Sequence, residues 1–411
     1  MMVKSPLHVL KIFWQARKPL GWAQLTHRKV RLLVAMLGVA FANILIFTQL
    51  GLRAMLFDGV TLVPDHLQGD LFLVSAYAPN IDLGSFPRIF LYQADAVEGV
   101  AAASPLYIAF GDWVNPLNLD RPPAAPDVPQ PTFELFPTSV KVLAFNPTRP
   151  VLNIPAVNQQ LDRLTAPGAV LYDRLGQEKL GPIPTLFHQQ GGISTLMNNR
   201  RVYVVGLFSL GSTLFDNGHV AMSDWTYAQW YGANFLDQVS VGCLTLDPGA
   251  DRAAVRSRLQ ATLPPDVRVL TQAELAAAEQ AFRASLPNGK VLNFGALMGF
   301  IVGLVIVYQV LYTDVSDHLP EYATLKAMGY SDTSLLRVIL QEALILAVLG
   351  FIPGYFASYG VYHLLTHITR VPLTMKTTVA VQVFILTLIM CGISGAIAMN
   401  KLRSADPADV F

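Results

Sequence analysis

The chain has 411 residues, of which 53% are hydrophobic and only 14% charged, with a formal net charge of +1. That composition excludes a disordered chain and points to a membrane protein carrying a folded extramembranous domain. The near-zero charge supplies no basic field for nucleic acid, so no nucleic-acid partner is expected. The two cysteines, Cys243 and Cys391, lie in unlike contexts without CxxC spacing, so each reads as a small buried hydrophobe.

In chain order, residues 1–31 come first as a basic leader. Lys4, His8, Lys11, Gln15 and Lys18 fall on one helical stripe, and Leu7, Val9, Leu10, Ile12, Phe13 and Trp14 cover much of the rest. This pattern predicts an amphipathic helix lying on the cytoplasmic leaflet, in contact with membrane lipid and ended by Pro19 and Gly21. Residues 32–52, "LLVAMLGVAFANILIFTQLGL", are a first membrane span. The run is too long and starts too far into the chain for a signal peptide, and no small-x-small cleavage site follows it. Seven Lys or Arg residues and no acid precede the span, so the positive-inside rule puts the leader in the cytoplasm.

Residues 53–290 then form one large domain outside, with helical stalk segments at either end. Two strand–helix–strand patterns bracket it. The first is "DLFLVSAY", a short helix over 93–98, and "VAAASPLYIAF". The second is "QVSVGCLTL", a helix over 251–263, and "VRVLT". Both can sit in one sheet. Between them, the proline-dense 115–137 reads as loop, and "SVKVLAF", "AVLYD" and "RRVYVVGLFSL" as strands of a separate, mostly β insertion. Thr271 and Glu274 make a capping-box pattern that starts a helix over "AELAAAEQAFRAS". "PNG" at 287–289 should break or bend it before the second span.

The second span is 291–312, the third 335–360 and the fourth 379–400, with a short outer loop over 361–378 and a cytoplasmic tail over 401–411. Four crossings return the tail to the cytoplasm, and residues 313–334 must also lie inside. Arg337, Gln341 and Glu342 are polar residues within the third span, near its cytoplasmic end. Snorkelling and helix–helix contacts account for them as well as an ion path does. His363 and His367 are one turn apart but have no third ligand, so no metal site is expected. There is no G-x-x-x-x-G-K-[ST] loop, HExxH, GxSxG or kinase set. No catalytic residue or cofactor site is therefore assigned, and ATP would be bound by a partner.

The 313–334 segment, "DHLPEYATLKAMGYSD" at its centre, has the makings of a rigid short helix. Asp317 can cap it, Pro320 fits its first turn, Gly329 suits a stop, and Ser331 or Asp332 can cap the next helix. The layout of one span, a large outer domain and three further spans resembles the permeases of the MacB/FtsX-like ABC exporter family. The match is sharpest at Glu321, Leu325, Gly329 and Ser331, then "LLRVILQEALIL" with Glu342 in the family's Glu-Ala position, and the "SADPADVF" ending. Residues 19–58 look most like DevC-type permeases of cyanobacterial exporters.

The resemblance implies an α-helical membrane protein with four transmembrane helices plus an α+β extracytoplasmic domain of the MacB periplasmic kind. It implies a homodimer in a bacterial inner membrane, a separate cytoplasmic ABC ATPase, a periplasmic membrane fusion protein and a TolC-like outer-membrane channel. Export, of glycolipid or another envelope component, would proceed by mechanotransmission, with Pro320, Glu321, Leu325, Lys326 and Gly329 receiving the ATPase's push. Signalling to a cell-wall hydrolase in the manner of FtsX, and lipoprotein extraction in the manner of LolC/E, are the alternatives the same layout implies.

Overall fold

The structure, a computed structural model, describes residues 29–119, 138–317, 324, 328, 331–369 and 373–404. The chain divides into two compact units, one over 55–290 with 369–372 and one from the remaining residues. The fold class is the one expected, a helical membrane unit and a sheet-rich unit of α and β structure.

Among the described residues, the sheet unit is built on nine hydrogen-bonded strands: β1 (Leu71–Ser75), β3 (Val100–Asp112), β4 (Ser139–Phe145), β5 (Ala169–Asp173), β6 (Ile193–Met197), β7 (Arg200–Phe208), β8 (His219–Ser223), β10 (Val241–Leu246) and β11 (Val267–Leu270). Their order is β11-β1-β10-β3-β4-β8-β5-β7-β6. The two-residue strands β2 (Phe86–Pro87) and β9 (Gln238–Val239) pair separately. The two strand–helix–strand patterns do share one sheet, as β11-β1-β10-β3.

The expected separate insertion is not separate. β3 is 13 residues long, and its first half, from Val100 to Leu106, pairs with β10 while Leu106–Asp112 pairs with β4. One strand therefore carries the ladder from one set of strands into the other, and its length is the reason the sheet continues. β4, β8, β5, β7 and β6 extend it, with parallel β4/β8 and β5/β7 pairs.

Alternate residues feed two cores on opposite faces. Along β1, Leu71 and Leu73 join one cluster and Phe72 and Val74 the other. The first face is covered by helices α2 (Arg88–Asp95), through Leu91 and Ala94, α4 (Asp224–Tyr231), through Tyr227, and α5 (Arg252–Thr262), through Val255 and Leu259. Ile183 of α3 (Ile183–Gln190) adds to it. The second face takes Val63 of α1 (Lys29–Asp65) and Leu275 of α6 (Gln272–Ser285), with Ile154, Val157 and Leu164 from the β4–β5 connection.

Two local expectations shift. The helix expected over 93–98 is α2, which begins earlier, at Arg88. Pro87 holds φ −58° and ψ 131°, an extended entry from which Arg-Ile-Phe-Leu-Tyr-Gln-Ala-Asp can bury Leu91 and Ala94. The helix break comes at Leu286 (ψ 155°), so Pro287 opens the new helix α7 (Pro287–Asp317) and Gly289 lies inside it. The capping box forms in full. Thr271 Oγ1 accepts from Glu274 N, and the Glu274 carboxylate accepts from Thr271 N.

Among the described residues four helices are long and apolar enough to cross a membrane, within α1, α7, α8 (Asp332–Thr369) and α9 (Thr377–Ser404). In the membrane unit, α1 packs against the other three through its Val39–Phe47 stretch, where Val39, Ala42, Asn43, Ile46 and Phe47 are buried.

Candidate functional site

The segment expected to receive an ATPase's push lies almost wholly outside the described residues. Pro320, Glu321, Leu325, Lys326 and Gly329 are among those not described. Thr324 and Met328 are described. Met328 N donates to Thr324 O at 3.0 Å, the reach of one helical turn, and the Met328 side chain is exposed. Ser331 immediately precedes α8, its Oγ 2.9 Å from Thr333 Oγ1.

The three polar residues of the third span separate onto two faces of α8. Arg337 and Gln341, one turn apart, are both exposed, whereas Glu342 is 1% exposed beside buried Ile339, Ala343 and Leu346. His363 and His367 are exposed on the same helix, and among the described residues no group of three or more His, Cys, Asp or Glu side chains could hold a metal.

What sequence reading missed in the membrane unit is how small residues set its packing. Gly350 and Gly354 of α8 form a G-x-x-x-G pair, "GFIPG", against Val39, Ala40 and Asn43 of α1. On α7, Gly295, Gly299 and Gly303 repeat at four-residue spacing towards Gln49, Ile46 and Ala42 of α1. The spacing is visible in the sequence; the opposing helix is not. Polar groups then fix the register of the bundle. Thr387 Oγ1 of α9 lies 2.6 Å from Asn43 Oδ1 and 2.7 Å from the Val383 carbonyl, its one proton serving one of them. Ser394 donates to the Leu304 carbonyl at 3.0 Å, and Tyr362 donates to the Phe47 carbonyl.

The sheet unit holds a second constellation that sequence reading did not find. Lys141 of β4 and His219 of β8 are register partners on the face that also takes α1 and α6. Both are buried, with Asp173 of β5 beside His219. Asp173 is wholly buried and accepts four bonds. Its Oδ1 takes Leu175 N at 3.1 Å and Leu210 N at 3.0 Å; its Oδ2 takes Gly211 N at 2.7 Å and lies 3.3 Å from His219 Nδ1. It therefore pins the start of the β7–β8 connection. Asp173→Asn, which puts an NH2 where Oδ2 meets Gly211 N–H, is expected to cost about 1–3 kcal/mol in a denaturant melt.

The far end of the same connection is held by Lys141. Its Nζ bridges Asp216 Oδ2 at 2.9 Å and Asp82 Oδ2 at 3.0 Å, with all three side chains largely buried. Burial alone would lower the Lys141 pKa, but the charges and hydrogen bonds of Asp216 and Asp82 outweigh it, and the pKa is raised. Thr213 and Asp216 close the turn between them, Asp216 N donating to Thr213 Oγ1 at 2.9 Å. Gly59 of α1 lies flat against it, where a Cβ would sit 3.0 Å from Thr213 Cβ.

Glu279 of α6 completes the cluster. Its Oε1 accepts Ile81 N–H at 2.8 Å. Burial, as the largest influence, pushes its carboxyl up to about 7 against the pull of that N–H, and Asp82 raises it further while Lys141 and Arg283 lower it. Arg283, one turn on, stacks on the Phe215 ring at 3.8 Å. None of these groups is arranged as a nucleophile with its base. The cluster ties α6 to the loop after β1 and, through Lys141, that loop to the β7–β8 connection.

Set against known proteins, residues 293–407 match the family model described as FtsX-like permease C-terminal. This part of the chain is similar to FtsX-like permease domains. The match takes in most of α7 and all of α8 and α9, and so three of the four apolar helices found among the described residues. The segment holding Pro320, Glu321, Leu325, Lys326 and Gly329 also falls inside it.

Solved structures similar to the chain include the periplasmic region of MacB from Actinobacillus actinomycetemcomitans. It is 8% identical, covers 51% of this chain and 92% of that one, and gives a TM-score of 0.33. Another is the extracellular domain of the noncanonic ABC-type transporter YknZ from Gram-positive bacteria, at 11% identity, 49% and 98% coverage and a TM-score of 0.30. No curated protein matches the chain.

Proposed function

We propose that this membrane protein is the permease subunit of an ABC exporter that works by mechanotransmission. The observation that carries the reading is the FtsX-like permease domain over 293–407, joined to a large sheet unit inserted between the first and second apolar helices. The chain lies in a bacterial inner membrane, leader and tail in the cytoplasm and the sheet unit outside, on the strength of the basic residues before α1. Two copies pair with a separate cytoplasmic ATPase. ATP-driven closure pushes the 313–334 segment, with Glu321 and Leu325 as the side chains most engaged. α1 is one unbroken helix from Lys29 to Asp65 that contributes residues to both units, which supports a mechanical link along the chain.

In this reading the sheet unit docks a periplasmic membrane fusion protein, and a TolC-like channel completes the path. The likeness of residues 19–58 to DevC-type permeases supports a glycolipid or another envelope lipid as cargo. The bundle itself needs no aqueous conduit, because substrate is taken up and expelled on the outer side.

The test is replacement of Glu321 and Leu325 together in the ATPase–permease complex, with ATP hydrolysis and export both measured. Stimulated hydrolysis is expected to fall to the level of the ATPase alone while the complex still assembles. Unchanged hydrolysis and export in the double variant would remove the coupling role. Co-purification from membranes separates the destinations, since an adaptor supports export, whereas a cell-wall hydrolase in its place supports signalling.

A further inference from the structure

The Lys141 cluster contains one acid that neither ion pair uses. Glu279 is 5% exposed, and its Oε1 joins α6 to the loop after β1 by accepting Ile81 N–H. The next residue of that loop, Asp82, spends Oδ2 on Lys141 and leaves Oδ1 buried without a hydrogen-bond partner. Glu279 and Asp82 line the same small cavity, about 20 Å³, the room a single water needs.

The groups that face Glu279 there can be named element by element. The loop after β1 brings Asp82, β4 brings Lys141, and the loop before β8 brings Asp216. α6 itself adds Arg283, and α1 lines the cavity with Gly59, Val60 and Val63, none of them charged. Three carboxylates meet two cations, so with Glu279 ionised the site holds one uncompensated negative charge out of bulk water. A single proton cancels that charge and also supplies the donor that Asp82 Oδ1 lacks.

We propose that Glu279 is a proton-operated latch. With its proton on, it places that proton towards Asp82 and closes α6 onto the 76–85 loop. With its proton off, it repels Asp82 and loosens the same joint. The direction follows from the raised carboxyl. Its folded value, about 7, lies above the ordinary 4.5. The stabilising contribution is therefore complete below the ordinary carboxylate range and is lost as pH rises through about 7. α6 runs through Leu286 into α7, where the FtsX-like domain begins, so the latch sits on the chain segment entering the permease helices.

Hydrogen–deuterium exchange on the full chain in detergent micelles tests this, between pH 5.5 and 8.5 and corrected for the intrinsic pH dependence of exchange. Peptides covering α6 and 76–85 are compared with a β10 peptide as internal reference. Protection of α6 and the loop is expected to fall on the order of tenfold relative to β10 as pH rises through about 7. Glu279→Gln, which keeps the acceptor and carries a permanent donor, is expected to stay protected across the range. Wild-type protection that does not change with pH relative to β10 overturns the proposal without any variant. So does a Gln variant that keeps the wild-type dependence.

Discussion

Lys141→Ala is expected to destabilise the sheet unit by about 3–5 kcal/mol, the usual cost of removing one partner from a buried ion pair. The variant leaves Asp82 and Asp216 facing each other in a site where they had shared one ammonium at 3.0 and 2.9 Å. Neither loop can rotate its carboxylate freely to water. Asp216 is held in its turn by Thr213, and Asp82 follows the residue whose N–H is bound to Glu279. For a unit of this size the loss corresponds to a fall of roughly 6–20 °C in Tm. Thermal and denaturant melts of the full chain in detergent measure it, and a change below about 1 kcal/mol would show that water reaches the carboxylates. A cycle with Asp216→Asn separates the pair's coupling from the cost of an orphaned charge. The intact pair is not itself a large source of stability, because desolvating three charges offsets most of their attraction. Its role is to fix which two loops meet over β4.

Gly350→Leu combined with Gly354→Leu should be the most disruptive change in the membrane unit. A Cβ at Gly350 would lie 2.5 Å from Val39 Cβ, and one at Gly354 would lie 2.9 Å from Asn43 Cβ. Carbon atoms prefer about 3.5–4.0 Å, so α1 and α8 must separate before any of the leucine beyond Cβ is accommodated. Overpacking of this kind costs about 1–3 kcal/mol per site. The displacement of α1 also pulls Asn43 from Thr387, a bond between α1 and α9. Gly360→Leu on the same helix is the control. Nothing lies within 4 Å of its added Cβ, and its expected effect on melting is close to zero. In the permease reading the double variant also loses stimulated ATP hydrolysis, since the push on 313–334 no longer reaches α1. If the double variant melts like the wild type, the close α1/α8 contact is wrong.

Local pattern carried much of this protein. The apolar runs are long enough that no soluble packing competes with a membrane, and the short β-rich apolar runs in "DLFLVSAY" and "SVKVLAF" mark those stretches as strands. Thr271 and Glu274 announced the start of α6 because a capping box is a purely local arrangement, complete within four residues. α2 was misplaced because the short run after Pro87 is ordered by what Leu91 and Ala94 bury, and that is decided by the sheet beneath it. The supposed insertion failed for a related reason. Local composition says that β3 is extended, but not that its two halves have different partners.

The class, the apolar helices and most strands are legible in the chain because each rests on a pattern local in sequence. That nine strands make one sheet, that Gly350 and Gly354 face α1, and that a cluster forms around Lys141 depend on contacts between distant segments. Glu279 meets Ile81 across 198 residues of sequence, and Lys141 meets Asp82 across 59. A buried charge on a strand looks, in sequence, like a solvated one. What distinguishes Lys141 is the pair of carboxylates brought to it by two distant loops, and that pairing exists only once the sheet has formed.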